Sequence, residues 1–258
     1  MSSSKTPTSP TETSIFSSPQ RAMPTILRSV LWNVHIYDSN DPTTVIGGLS
    51  LTPGITNANL YVMIEILVII SSTFFLRDEN ETKIERDGHP LQPGKYYIVA
   101  ADSFQVNDEP WLVRTIDRAP GTRVAAFCDA VRLRDRRCVI SGEIVPTFGE
   151  IDLWDGFDAA HIFPLAYEGH WIDQNFNRWI TIQPAKGGTI NSVQNGLLLD
   201  SAIHQLFDAY AVSINPDDNY KVVAFMPTPR NIAGKHLDRE YFTHPDAPLD
   251  SLLRWHFR

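Results

Sequence analysis

The sequence predicts an α+β fold in two parts: a β-rich N-terminal domain, and a C-terminal domain in which short strands lead into an amphipathic helix. Three observations carry this. Residues 27–113 have the alternation and turn chemistry of strands. In residues 200–210 the apolar Ile203, Leu206, Phe207 and Tyr210 recur at i, i+3, i+4 and i+7, the period of one helical face. Between the two regions Pro120 and Gly121 mark a linker over residues 117–121. The expected division is a tail over 1–22, a β-rich domain over 23–120 and a second domain over 121–258.

The first 22 residues are rich in Ser, Thr and Pro and lack periodicity, which is the composition of a disordered tail. They also lack the charged start and apolar core of a signal peptide. Residues 30–37 and 96–100 read as strands, the first followed by the turn-forming Asp38, Asn40, Asp41 and Pro42. Residues 58–76 are apolar over nearly the length that crosses a bilayer. Asn59 and Glu65 interrupt that run, and a carboxylate at mid-bilayer costs ~2.5–3.5 kcal/mol on insertion scales. A core helix or strands of a soluble domain is therefore expected, with no membrane partner.

Composition bounds the function. A chain of 258 residues with 43% apolar content buries an ordinary core, and its net charge of −8 is not that of a tight, sequence-independent DNA binder. Cys128 and Cys138 form no CxxC pair, which argues against a disulfide scaffold or zinc ribbon and for a reducing, intracellular setting, cytoplasm or nucleus. Residues 122–134 read as a helix with Val124, Phe127, Cys128 and Val131 on one face. Arg132, Arg134, Arg136 and Arg137 at its end make the one dense basic cluster of the chain. That cluster is either a phosphate-contact patch or a solvated helix end whose cations offset the helix dipole. Residues 138–142 are expected to enter a strand, with Cys138 as a small buried hydrophobe.

The chemistry concentrates between Asp158 and Asp208. Asp200 or Ser201 is a natural cap for the helix, and on that helix His204 and Asp208 are one turn apart, so an imidazole and a carboxylate project side by side. With a His behind a short strand-like run, this is half of a divalent-metal site. The order Asp158-Ala-Ala-His161-Ile-Phe-Pro164, then Asn195-Gly-Leu-Leu-Leu199, then His204-Gln-Leu-Phe-Asp208 resembles the HNH endonucleases of the ββα-metal fold. The resemblance covers roughly residues 121–258, with weaker similarity upstream.

It implies a metal-dependent endonuclease that hydrolyses DNA phosphodiester bonds, with RNA left open as the substrate. His161 would be the general base, His204 a metal ligand, and Asn195 the brace of the loop that carries the base. The cofactor would be one divalent metal, Mg²⁺ or Mn²⁺, with Zn²⁺ as an alternative. Many relatives carry Asp or His directly before the base, where this chain has Ala160. Asp158 shares the strand parity of Ala160, and Asp208 lies one turn past His204, so both are candidate substitutes. The alternative reading is a degenerate HNH scaffold that binds nucleic acid or protein without cutting.

Residues 165–190 form a long connection carrying Trp171, Phe176 and Trp179, in which core packing is weighed against base stacking, and Gly187-Gly188 could hinge it. Beyond the helix, residues 211–214 and 220–225 read as a hairpin about a five-residue turn. Residues 252–257 read as a terminal helix with little left to dock.

Overall fold

The computed structural model describes residues 28–107 and 125–258, in two packed units. The expected tail, the linker at 117–121 and residues 122–124 of the expected helix lie outside the described residues. Strands β1 (Val34–Asp38) and β2 (Asp41–Leu49) open the first unit, followed by helix α1 (Asn57–Leu67) and strands β3 (Val68–Ile69), β4 (Phe74–Asp78), β5 (Lys83–Ile84), β6 (Gly94–Ala100) and β7 (Gln105–Val106). A five-stranded sheet runs in the order β2-β1-β6-β4-β5, with β1 and β6 parallel and the other pairs antiparallel.

Helix α1 begins where Thr56 and Asn59 cap each other, side chain to backbone in both directions. Leu60 and Ile64, one turn apart, pack on Val34, Ile36, Leu76 and Ile98 of the sheet. Glu65 turns outward to Arg86 at 2.5 Å, which is why a carboxylate is tolerated in so apolar a run. The run is thus a helix followed by strands, and no helix among the described residues is long and apolar enough to cross a membrane. The first strand begins at Val34 rather than Val30, because residues 28–31 form a 3-10 turn that lays Trp32 against Gly48.

The second unit contains α2 (Ala125–Asp135), strands β8 (Thr147–Phe148), β9 (Ile151–Asp152) and β10 (Phe157–His161), α3 (Glu168–Asp173), β11 (Gly196–Asp200), α4 (Ser201–Asp208), the hairpin β12 (Val212–Asn215) and β13 (Lys221–Ala224), and α5 (Asp250–Phe257). Strands β10 and β11 pair antiparallel, with His161 opposite Gly196. Their core is continuous with Phe127, Val131, Ile203, Phe207 and Ile214.

Two expectations are corrected. Residues 138–142 make a turn, not a strand: the Gly142 amide donates to the Cys138 carbonyl at 2.8 Å and Gly142 holds φ +81°. Cys138 itself is fully buried, as expected. The terminal helix α5 does dock: Leu252 and Leu253 are fully buried, and His256 bridges the Ser213 hydroxyl (2.8 Å) and the Phe207 carbonyl (3.1 Å). Within the connection 165–190, Trp171 is 1% exposed and its ring NH donates to Thr189 Oγ1, so core packing wins there.

The units meet through polar contacts. The Thr52 hydroxyl donates to the Ala224 carbonyl at 2.6 Å. The amide of Asn59 donates to Asp218 at 2.7 Å and accepts from Lys221 at 3.2 Å. Gly54 and Gly234, both at positive φ, bring their backbones into contact where a side chain would not fit.

Candidate functional site

Asn195 is fully buried and uses its whole amide on one loop. Its Oδ1 accepts from the Phe163 amide (2.8 Å), while Nδ2 donates to the carbonyls of Phe163 (3.2 Å) and Ile190 (2.8 Å). The Ile162 amide donates to the Asn195 carbonyl at 2.9 Å. Only an uncharged group that both donates and accepts can satisfy this set. The segment leaving His161 is therefore fixed from both sides of its backbone.

His161 ends β10 at 8% exposure. Its ring stacks on Phe127 of α2, with centroids 3.9 Å apart and planes at 10°. Gly196 across the ladder makes room for this: a methyl group there would lie 2.5 Å from Val131 and 2.8 Å from Phe127. The His161 Nε2 lies 3.2 Å from Asn191 Oδ1. Asn191 Nδ2 donates to the Gly187 carbonyl, which turns its oxygen toward the imidazole. With the Asn191 oxygen as acceptor, the neutral ring donates from Nε2. Asn191, Phe127 and Gly196 escape sequence reasoning because no short-range pattern ties them to His161.

Strand alternation turns Asp158 to the other side of the sheet, toward α4. Asp200 caps α4 by accepting from the amides of Ala202 and Ile203, which fixes the helix start and hence His204. His204, 9% exposed, lies between two carboxylates: Nδ1 is 3.1 Å from Asp158 Oδ2, and Nε2 is 3.2 Å from Asp208 Oδ2. Burial disfavours its charge, but the hydrogen bonds to Asp158 and Asp208 more than offset this and raise the pKa to about 9.

The sign of the pH effect follows. A folded pKa above the ordinary 6.5 stabilises the metal-free protein fully below pH 6.5, and this contribution is lost as pH rises through about 9. The melting temperature should fall over that window, and Asp158→Asn should flatten the fall. A profile identical in the variant would show that the ion pair does not stabilise the fold.

Asp158, His204 and Asp208 are thus brought together as the sequence suggested, but the carboxylates flank opposite ring nitrogens. Among the described residues no group of three or more His, Cys, Asp and Glu side chains converges to hold a metal ion. His204 with either carboxylate supplies two atoms of the ligand type such an ion takes. A nitrogen and an oxygen about 3.1 Å apart have the spacing of two ligands each ~2.1 Å from a common ion. Imidazole plus carboxylate also suits a cation that keeps water or phosphate oxygens in its remaining positions. Binding would displace the imidazole proton on that side.

The basic cluster divides. Arg134 points into the protein: its side chain is 5% exposed, and all five N–H groups donate inside it. They donate to both oxygens of Asp135 and to the carbonyls of Val193, Gly196 and Asp246. Arg132 lies over the Trp154 ring at 4.9 Å. Arg136 pairs with Asp152 at 2.5 Å, and it and Arg137 are the exposed members.

Residues 138–215 match the model of a family described as HNH endonuclease, and residues 31–105 match one described only as a domain of unknown function. The HNH match takes in β10, β11 and α4, with His161, Asn195, His204 and both candidate carboxylates. No curated protein and no solved structure matches the chain.

Proposed function

We propose that the HNH endonuclease domain at residues 138–215 hydrolyses phosphodiester bonds in DNA, on a ββα-metal core formed by β10, β11 and α4. The observation that carries this is the pairing of a His204 imidazole with carboxylates at metal-ligand spacing, within the segment that also holds His161 on a braced strand end. His161 takes the proton of the attacking water while the hydrogen bond to Asn191 holds the ring in place. Asn195 keeps the turn after His161 from relaxing, so the base meets the attacking water at one fixed angle. A divalent cation, Mg²⁺ or Mn²⁺, supplies Lewis-acid stabilisation of the phosphate when bound, and His204 with Asp158 or Asp208 would hold it.

A second reading is favoured by a specific observation. His161 is covered by Phe127, and among the described residues no three ligand side chains converge, which suits an HNH scaffold that binds nucleic acid or protein without cutting. Plasmid nicking in Mg²⁺, Mn²⁺ and chelator separates the two. Metal-dependent nicks support hydrolysis; DNA binding with no nick under any condition supports the scaffold.

The metal assignment has its own test. Titrating Mn²⁺ into His204→Ala by calorimetry should show weaker binding by about ten-fold or more, the usual loss at a metal shell. Asp158→Asn and Asp208→Asn should reveal which edge of the ring is used. Equal affinity in all three would put the ion elsewhere.

A further inference from the structure

With Arg134 buried, the basic cluster is thinned, and an acidic chain gains from a second surface on which to meet a polyanion. The five-stranded sheet of the first unit provides one. Helix α1 covers one face through Leu60, Tyr61 and Ile64. The register assigns the other face: His35 and Tyr37 on β1 lie beside Lys95 and Tyr97 on β6, then Phe75 and Arg77 on β4, and Lys83 on β5. None of these seven joins the core cluster.

Their chemistry is not that of a solvated back. Tyr37 and Tyr97 stack at 5.3 Å, and the Arg77 guanidinium lies over the Tyr97 ring at 5.7 Å, so a π–π–cation ladder crosses three strands. Tyr37 is the buried foot of that ladder. Phe75 is 38% exposed beside it, and Lys95 and Lys83 are exposed. No Asp or Glu occupies a register position of this face, in a chain of net charge −8. Among the described residues, the carboxylates paired with this face come from the β4–β5 end, where Glu81 pairs with Arg77 and Glu85 with Lys83. The Lys83–Glu85 pair is exposed on both sides, and such pairs are weak enough to yield to a phosphodiester.

We propose that this face binds a single strand of nucleic acid, with bases stacking on Phe75 and the Tyr97 edge and phosphates meeting Lys95, Lys83 and Arg77. An open sheet that presents aromatics amid cations suits unpaired bases, whose π-faces are hidden in a duplex. The Asn59 and Thr52 contacts hold this unit on the β12–β13 hairpin, so the strand would be presented at a fixed position relative to the HNH domain.

The test uses the full chain and fluorescence anisotropy with labelled oligothymidine, oligouridine and a duplex, all in chelator, so the outcome does not depend on cleavage. Single strands of DNA or RNA should bind more tightly than the duplex. Phe75→Ala should weaken that binding roughly 5- to 150-fold, the range for one lost stacking partner. Lys95→Glu should weaken it too and lower the slope of log affinity against log salt by roughly 0.7. Lys95 is exposed, so that variant folds even where Phe75→Ala does not, and melting curves check both. Tighter duplex binding, no single-strand binding, or affinities unchanged in the folded variants would overturn the proposal.

Discussion

Replacing His161 with alanine is expected to lower the rate of plasmid nicking by about 10²–10⁴, the contribution of a positioned general base. Its burial does not remove it from the chemistry. Phe127 covers a face of the ring, whereas the nitrogens project from its edges in the ring plane. Asn191 takes the Nε2 edge and fixes the ring's orientation. Deleting the ring also leaves a void against Phe127, so His161→Gln is the companion variant, restoring volume but not basicity. Equal losses in both, with Mn²⁺ affinity unchanged, would place His161 in the chemical step. Nicking at near wild-type rate in either variant, with the metal requirement intact, would take His161 out of the mechanism.

Much of this site could be read from the chain because its determinants are local. The helix α4 declares itself through a 3.6-residue apolar period and an aspartate cap, and that alone sets His204 and Asp208 one turn apart. The β12–β13 hairpin follows from Asn215, Pro216 and Asn219 in the turn, with Asn219 in the left-handed region. Where the reading failed, the cause was direction or distance. Residues 138–142 offer too few positions for alternation to outweigh the glycine that closes a turn. Charge density in 132–137 says nothing about which way a side chain points, yet periodicity did hold a signal: Arg134 lies seven residues from Phe127 and three from Val131, on the buried stripe of α2. The parallel pairing of β1 with β6 and the Asn191–His161 contact bring together residues far apart in the chain, beyond what any window of sequence records.

Arg134 leads to the second large effect. Its five N–H bonds and the four that Asp135 accepts join α2 to β11 through the Gly196 carbonyl and the Leu198 amide, to the Val193 carbonyl, and to the C-terminal segment through Tyr241 and Asp246. The Asp135 side chain is fully buried. Burial works against the Arg134 charge, but the hydrogen bonds to Asp135 prevail and raise its pKa. Arg134→Ala would strand a carboxylate in the core, and breaking a buried pair on one side costs ~3–5 kcal/mol. Asp135→Ala should cost a similar amount by stranding the guanidinium. The double variant should cost less than the sum of the two, since neither charge is then left alone, with a coupling of ~1–3 kcal/mol. Urea melts of the four proteins measure this directly. The same substitution discriminates between brace and phosphate contact: Arg134→Ala should lower stability sharply while the salt slope of nucleic-acid binding stays fixed. A stability loss under ~1 kcal/mol together with a shallower slope would return Arg134 to the surface patch, because an arginine that contacts phosphate gives up counterion release when removed.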